Sequence, residues 1–443
     1  MKNTKPIKEY LTQFSYWVFI GLLAYMPLHI FLSTWIGTTI GILEATRILK
    51  DILMILGFVV LVSVSFNQKW FKQAVKSKLI WLIIAYGVWT LILALIKSTD
   101  QDAEILGLVY NTRFLVFFLY ALLLTKADDA VKLRKYSLIA VMSSALFVLV
   151  FGIMQYTIIP NNTLEHFGYQ RQNGVLPAFF IDDKPNLERI MSTLRDPNSF
   201  GSYVIIIASI ALVMAIKKPK YKDLALGFLG LSVLCLWFSF SRSAWIGFIF
   251  SSLTIAILLV KEGIKPQKFK LYLILAAILL VTLFSGLILA RNTYFVKNVV
   301  FHADESTVLE DPNELRIRFW RESVEDIANN PMGSGPGTAG LASIRNDVQG
   351  TKLNENYYLQ IATEAGVIGL VIFVSILILV AINLYNLTEK DWLAIALLAS
   401  LVGLGITNFL VHIWSNEAVA YTWWGLAGLV TSKHLFDAKK TAK

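Results

Sequence analysis

The sequence predicts an all-α polytopic membrane protein of about 12 transmembrane helices, and three observations carry that prediction. Of 443 residues, 56% are hydrophobic and only 16% are charged, where a soluble domain carries roughly a quarter charged residues. The apolar excess is gathered into blocks of about 17–22 residues, the length that crosses ~30 Å of hydrocarbon. The remaining charge is split unequally between alternate connections.

Taken in order, the spans are expected at roughly 16–35, 48–65, 78–97, 106–125, 136–156, 200–216, 224–240, 243–260, 271–290, 366–386, 392–411 and 418–433. The first block is too long for a signal-peptide core and lacks a small-x-small cleavage site, so it is expected to stay as a span. Connections on one side are rich in lysine: the N-terminus, "NQKWFKQAVKSK", "KADDAVKLRK", "KKPKYKD", "KEGIKPQKFK", "LTEKD" and "KHLFDAKKTAK". That side holds 24 Lys and Arg against 8 Asp and Glu, and the other side 16 against 22. The positive-inside rule therefore places both termini in the cytoplasm. The net charge of +10 is a topology signal, so the expected partner is the lipid bilayer and not nucleic acid. Cys235, the single cysteine, lies in an apolar block and rules out an intramolecular disulfide.

Residues 1–443 are expected to form one membrane domain with two long external loops, 157–199 and 291–356. In the second, Leu315, Phe319, Trp320, Val324 and Ile327 recur at helical spacing. They predict an amphipathic helix over 314–329, on the outer membrane surface or against the external face of the bundle. Asn330-Pro331 ends it, and the glycines of "GSGPGTAG" read as turns. That run lacks the preceding strand and the Gly-Lys-Ser/Thr ending of a phosphate loop.

Cytoplasmic lysines follow from topology, but the external cations need another reason. Arg47 and Lys50 open the second span, Arg113 sits within the fourth, Arg195 precedes the sixth, and Arg242 occupies the turn of "FSFSRSAWIGF". Singly, each reads as a snorkelling side chain or a local pair, as Lys50 with Asp51 or Arg195 with Asp196. Together on one face they suit bidentate phosphate binding, and an external phosphate at membrane level suggests a lipid-linked phosphate or pyrophosphate. His29 and His412 lack metal-ligand spacing, and Asp182-Asp183 and Asp128-Asp129 read as solvated pairs, so no metal is expected. No Walker motif appears, and no cofactor is expected.

"NENYYLQIATEAGVIGL", residues 354 to 370, places Asn354, Glu355, Asn356 and then Glu364 where the chain enters a span. Ionisable groups near bilayer depth are costly and mark sites. Glu355 reads either as a helix-start residue favoured by the positive dipole end or as a general base.

Together these residues resemble the O-antigen ligase and O-antigen polymerase family, membrane glycosyltransferases of the bacterial envelope. The ligases carry His-[Asn/Ser/Gln], nine residues and Gly-x-x-Gly where a late external loop enters a helix; here Glu355-Asn356 is followed by nine residues and Gly366-Val367-Ile368-Gly369. "RDPNSFGSY", the "SRSAW" turn and the Arg-x-x-Trp helix running into "NPMGSGPG" extend the resemblance over about 100–380. It implies a GT-C-like helical protein of the cytoplasmic membrane that moves a glycan from undecaprenyl pyrophosphate to the hydroxyl of a glycan or glycolipid acceptor. It also implies that Arg47, Lys50, Arg113, Arg195 and Arg242 hold the pyrophosphate. Glu355 would be the base in place of the ligase histidine, with Asn356, Tyr358, Asn198, Arg316 and Arg321 as further substrate contacts. A twelve-span transporter or a lipid-linked oligosaccharide flippase is the rival reading. Its usual two similar halves and long central cytoplasmic loop are not matched by the short "KKPKYKD".

Overall fold

The computed structural model describes residues 4–97, 100–181, 184–263 and 312–437. Helix α1 (Thr4–Tyr25) passes through the short 3-10 turn Met26–Leu28 into α2 (His29–Ile40). The break falls where Pro27 removes a backbone donor, so the first expected span is an interrupted helix. Gly41, at φ 78°, ends α2 in the left-handed region and turns the chain into α3 (Leu43–Ser65). The short α4 (Lys69–Ala74) and the long α5 (Lys78–Ile96), α6 (Gln101–Ala127) and α7 (Ala130–Thr157) follow. The carboxylates of Asp100 and Asp129 accept backbone N–H bonds at the starts of α6 and α7, so Asp129 is a helix cap.

A small antiparallel hairpin, β1 (Phe179–Ile181) and β2 (Lys184–Arg189), pairs Phe179 with Arg189. Then come α8 (Pro197–Lys217), α9 (Lys222–Ser239), α10 (Arg242–Lys261), α11 (Pro312–Asn329), α12 (Tyr357–Tyr385), α13 (Trp392–Thr407) and α14 (Glu417–Asp437). Among the described residues, nine helical runs are long and apolar enough to cross a membrane. The expected span 271–290 and Asp182-Asp183 lie outside the described residues. Helix α13 has 16 residues, shorter than the expected 392–411. The amphipathic helix expected over 314–329 is α11.

α8 and α14 form the centre. Their side chains are enclosed on nearly every face, and Trp414, Trp423 and Trp424 pack with Phe114 into one aromatic cluster. The outer helices are different. On α3, Ile48, Ile52, Ile55 and Val59 point outward at helical spacing, an apolar stripe suited to lipid tails. The structure is an all-α polytopic membrane protein.

The two ends of the bundle are closed differently. At the lysine-rich end, Arg134 pairs with Asp391, Lys217 with Glu262, and the Lys261 ammonium donates to the Tyr385 hydroxyl at 2.7 Å. At the opposite end, described residues of three connecting segments meet around one cavity, with Phe179, Leu341 and Val411 in its lining. A break in α12 anchors this end. Gly366 takes φ 72°, ψ −178° inside the helix, which leaves carbonyls of the preceding turn without helical partners. The glycine-rich loop supplies donors instead: Ser334 N–H to Thr363 O at 2.8 Å and Gly335 N–H to Glu364 O at 3.0 Å. The indole N–H of Trp89 donates to Ala365 O at 2.7 Å. A Cβ at Gly366 would lie 2.4 Å from the Met332 backbone, so both backbone angle and space require glycine.

Glu364 completes this joint. Fully buried, it accepts from Asn111 Nδ2 at 2.6 Å and from the Gly337 N–H at 2.7 Å. Its carboxylate ties α6, α12 and the loop together. The "GSGPGTAG" turns are thus clamped against two helices.

Candidate active site

The loop-rich end contains a cavity of about 200 Å3. Its wall includes Arg189 at the end of β2, Arg195, Asp196 and Asn198 at the start of α8, Tyr110 of α6, and His412, Ser415 and Glu417 before and at the start of α14. Asp196 caps α8 by accepting from Asn198 N–H and Ser199 N–H, both at 2.9 Å. Its carboxylate is largely occupied, and the positive end of the α8 dipole faces the cavity. Asn198 Oδ1 accepts from Arg189 at 3.2 Å and from Ser241 Oγ at 2.9 Å. The hairpin, α8 and the turn before α10 are thereby locked together.

Arg195 makes no ion pair or hydrogen bond among the described residues. Burial disfavours its charge, yet Tyr110, Glu417 and Asp196 hold its pKa above the ordinary value. Arg189 is pushed down to about 10, by burial first and by the charge of Arg242 second, so it remains cationic near neutrality. The cavity wall therefore holds two guanidinium groups and a helix N-terminus, with its two carboxylates engaged elsewhere, Asp196 by the α8 backbone and Glu417 by Lys50 and Arg113, an arrangement suited to an anion with several oxygens.

The remaining sequence-selected cations are placed otherwise. Lys50 and Arg113 are buried one layer behind the cavity wall, in a quartet with Asp51 and Glu417. Lys50 Nζ lies 2.9 Å from Asp51 and 3.8 Å from Glu417; Arg113 lies 3.1 Å from Glu417 and donates to Ser415 O at 2.7 Å. The Tyr421 hydroxyl donates to Asp51 at 2.7 Å. Two positive and two negative charges balance. Arg47 donates to the Asn173 carbonyl and lies 3.9 Å from Glu44, within electrostatic reach of Arg195. Arg242 stands beside Arg189 and outside the cavity lining. The structure thus brings Arg195 and Asn198 to the cavity, keeps Lys50 and Arg113 behind it, and adds Arg189.

Glu355 lies at the same end. It occupies φ 44°, a left-handed conformation uncommon for a residue with a side chain. It does not cap α12: Asn356 does, its Oδ1 accepting from Tyr358 N–H at 3.0 Å and Leu359 N–H at 3.1 Å. Both Nε and Nη2 of Arg316 contact Glu355 Oε2, at 2.8 and 2.7 Å, leaving Oε1 without a partner among the described residues. The charge of Arg316 also bears on His412. Tyr358 bonds to Gly405 O at 3.1 Å and packs on Phe409, and Arg321 on α11 is exposed.

Burial pushes the His412 imidazole down to about 4, with Asp196 opposing and Arg316 reinforcing that shift. His412 is therefore neutral near pH 7. Between about pH 4 and 6.5 the unfolded chain binds more protons at this position than the folded one, so folding stability falls as pH drops through that window. We expect thermal unfolding in detergent to show this acid limb and His412→Asn to flatten it; an unchanged limb in the variant refutes the assignment.

Residues 226–374 match the protein family described as O-antigen ligase. The match includes Arg242, Arg316, Glu355 and the Gly366 break; Arg189, Arg195 and His412 lie outside it. Comparison with curated proteins found no match. The geometry at Glu355 and the family match fall on the same stretch, so the region 226–374 of this multi-pass helical chain is similar to the O-antigen ligase family.

Proposed function

We propose that the protein is a membrane glycosyltransferase that moves a glycan from undecaprenyl pyrophosphate to an acceptor hydroxyl. The site would face the external side of the bacterial cytoplasmic membrane, within one membrane domain spanning the chain, and the acceptor would be a glycan or glycolipid. The observation that carries this reading is the guanidinium-lined cavity beside the α8 N-terminus, at the same end as Glu355. In the step it supports, the acceptor hydroxyl gives its proton to Glu355 Oε1 and its oxygen attacks the anomeric carbon. The bond from that carbon to the pyrophosphate oxygen breaks, and the electron pair leaves with the pyrophosphate. Arg195 and Arg189 stabilise the charge that develops there. Arg316 fixes the carboxylate through Oε2 while leaving Oε1 open. Two guanidinium groups meet the charge of the leaving group, so this step needs no metal, and a chelator should leave the rate unchanged.

Incubation of the purified protein with a lipid-linked oligosaccharide and an acceptor should release undecaprenyl pyrophosphate and extend the acceptor. No release with any acceptor overturns the reading. Orientation has its own test. The buried Cys235 leaves little background, so single cysteines at exposed Gln172 and Val348 should label from outside intact cells. One at exposed Val131 should label only after permeabilisation. The reverse pattern would invert the topology and remove the external site.

A further inference from the structure

A second cavity, about 380 Å3, lies between α11 and the segment 351–354, within the range of small-ligand sites. It is lined by Phe319, Glu322, Glu325, Asp326, Lys352 and Asn354 among others, so three carboxylates face one ammonium, where the wall of the first balances two guanidinium groups with two carboxylates. Lys352 is already engaged, donating to Asp326 at 2.7 Å. Glu322 lies 3.7 Å from Arg318. Glu325 has neither an ion pair nor a hydrogen bond among the described residues. Asn354 is buried, accepting from Gly340 N–H at 3.2 Å and donating to Ser323 Oγ at 2.7 Å and to Thr363 Oγ1 at 3.3 Å.

An aromatic ring and carboxylates around one cavity form a stacking and acceptor set for a polyhydroxylated ring. The Phe319 face can cover the apolar C–H side of a sugar. Carboxylates accept from its hydroxyls in short, charge-assisted bonds. An anionic sugar or phosphate meets repulsion from the same groups. Position adds the second half of the argument. Asn354 directly precedes Glu355 in the chain. Arg316, which holds Glu355, is three residues before Phe319 on α11 and so shares its helix face. The charge of Arg316 also reaches His412, in the wall of the first cavity. Glu355 thus adjoins the acidic, aromatic cavity through Asn354 and Arg316, at the same end of the bundle as the guanidinium-bearing one.

We infer that the second cavity is the acceptor subsite, taking an uncharged or amino-bearing sugar unit and rejecting an anionic one; this rests on the transfer reading above. The test uses the full-length protein in detergent and direct equilibrium binding of a panel of neutral tetrasaccharides, built from glucose, galactose or N-acetylglucosamine, beside their uronate-bearing counterparts. Neutral members should bind saturably and more tightly than the uronates. Glu325→Gln, at an exposed position, should weaken the strongest of them about tenfold, the scale of one lost charge-assisted bond. Phe319→Ala should do the same, with Glu325→Gln serving where that variant folds poorly. In the transfer assay the same substitutions should raise the acceptor KM. Neutral binding unaffected by Glu325→Gln, tighter binding of uronates, or no saturable binding overturns the inference. Absence of pyrophosphate release by the wild-type protein overturns the transfer reading instead, and the two outcomes are read separately.

Discussion

Glu355→Gln is expected to fold, to bind the lipid-linked donor and to lose transfer by about 10²-fold or more, the scale of general-base catalysis. The folding half follows from what holds Glu355. Its carboxylate is partly exposed and touches the partly exposed Arg316, so an amide loses a surface-type pair worth roughly 0–1 kcal/mol. Asn356, and not Glu355, supplies the cap of α12, which leaves the helix start intact. The catalytic half follows from Oε1, the oxygen that Arg316 leaves open; glutamine keeps the shape there and removes the proton acceptor. Glu355→His should recover part of the activity. An imidazole can take the proton, and histidine is among the residues that tolerate the positive φ of this position. Rates with purified protein and saturating acceptor decide it. Near-normal turnover of the Gln variant would show that another group removes the proton, and donor binding measured in parallel separates that outcome from loss of the site.

Elements whose physics is local were legible in the sequence. A block such as 48–65 reports the thickness of hydrocarbon whatever packs beside it, and its helix runs over Leu43–Ser65. Leu315, Phe319 and Ile327 announced α11 because a one-sided helix writes its period into the chain. Asn356, Gly366 and Gly369 marked the entry to α12, yet the break at Gly366 depends on a loop thirty residues earlier that supplies its missing donors. Arg189 escaped notice because a hairpin of 3 and 6 residues carries too little periodicity to place a side chain. Lys50 and Arg113 were recognisable as cations without a topological reason. Their partner Glu417 enters from the last helix, and sequence order carries no sign of that contact. The lack of a topological reason for these cations was readable; which of them line the cavity was not.

That distinction has a measurable consequence at the buried quartet. Glu417→Gln leaves Lys50 and Arg113 facing Asp51 alone, an uncompensated positive charge among side chains that are nearly all enclosed. Breaking a buried pair in this way costs about 3–5 kcal/mol, so the variant should give poor yield of folded protein and a sharply lower thermal midpoint in detergent. Adding Lys50→Met restores neutrality: Arg113 and Asp51 remain, 3.9 Å apart, and the methionine side chain fills much of the lysine volume. The double variant should recover most of the lost stability, because burial of a charge costs heavily only when no opposite charge accompanies it. Activity then separates two roles for Lys50. If it balances charge behind the cavity wall, transfer should return with the fold, since Arg189 and Arg195 still line the cavity. If it touches pyrophosphate, the double variant will fold, and its transfer rate will stay low with a weakened donor KM. The contacts at 2.9 and 3.8 Å to two carboxylates favour the first, because an ammonium already satisfied by two anions has little left to give a third.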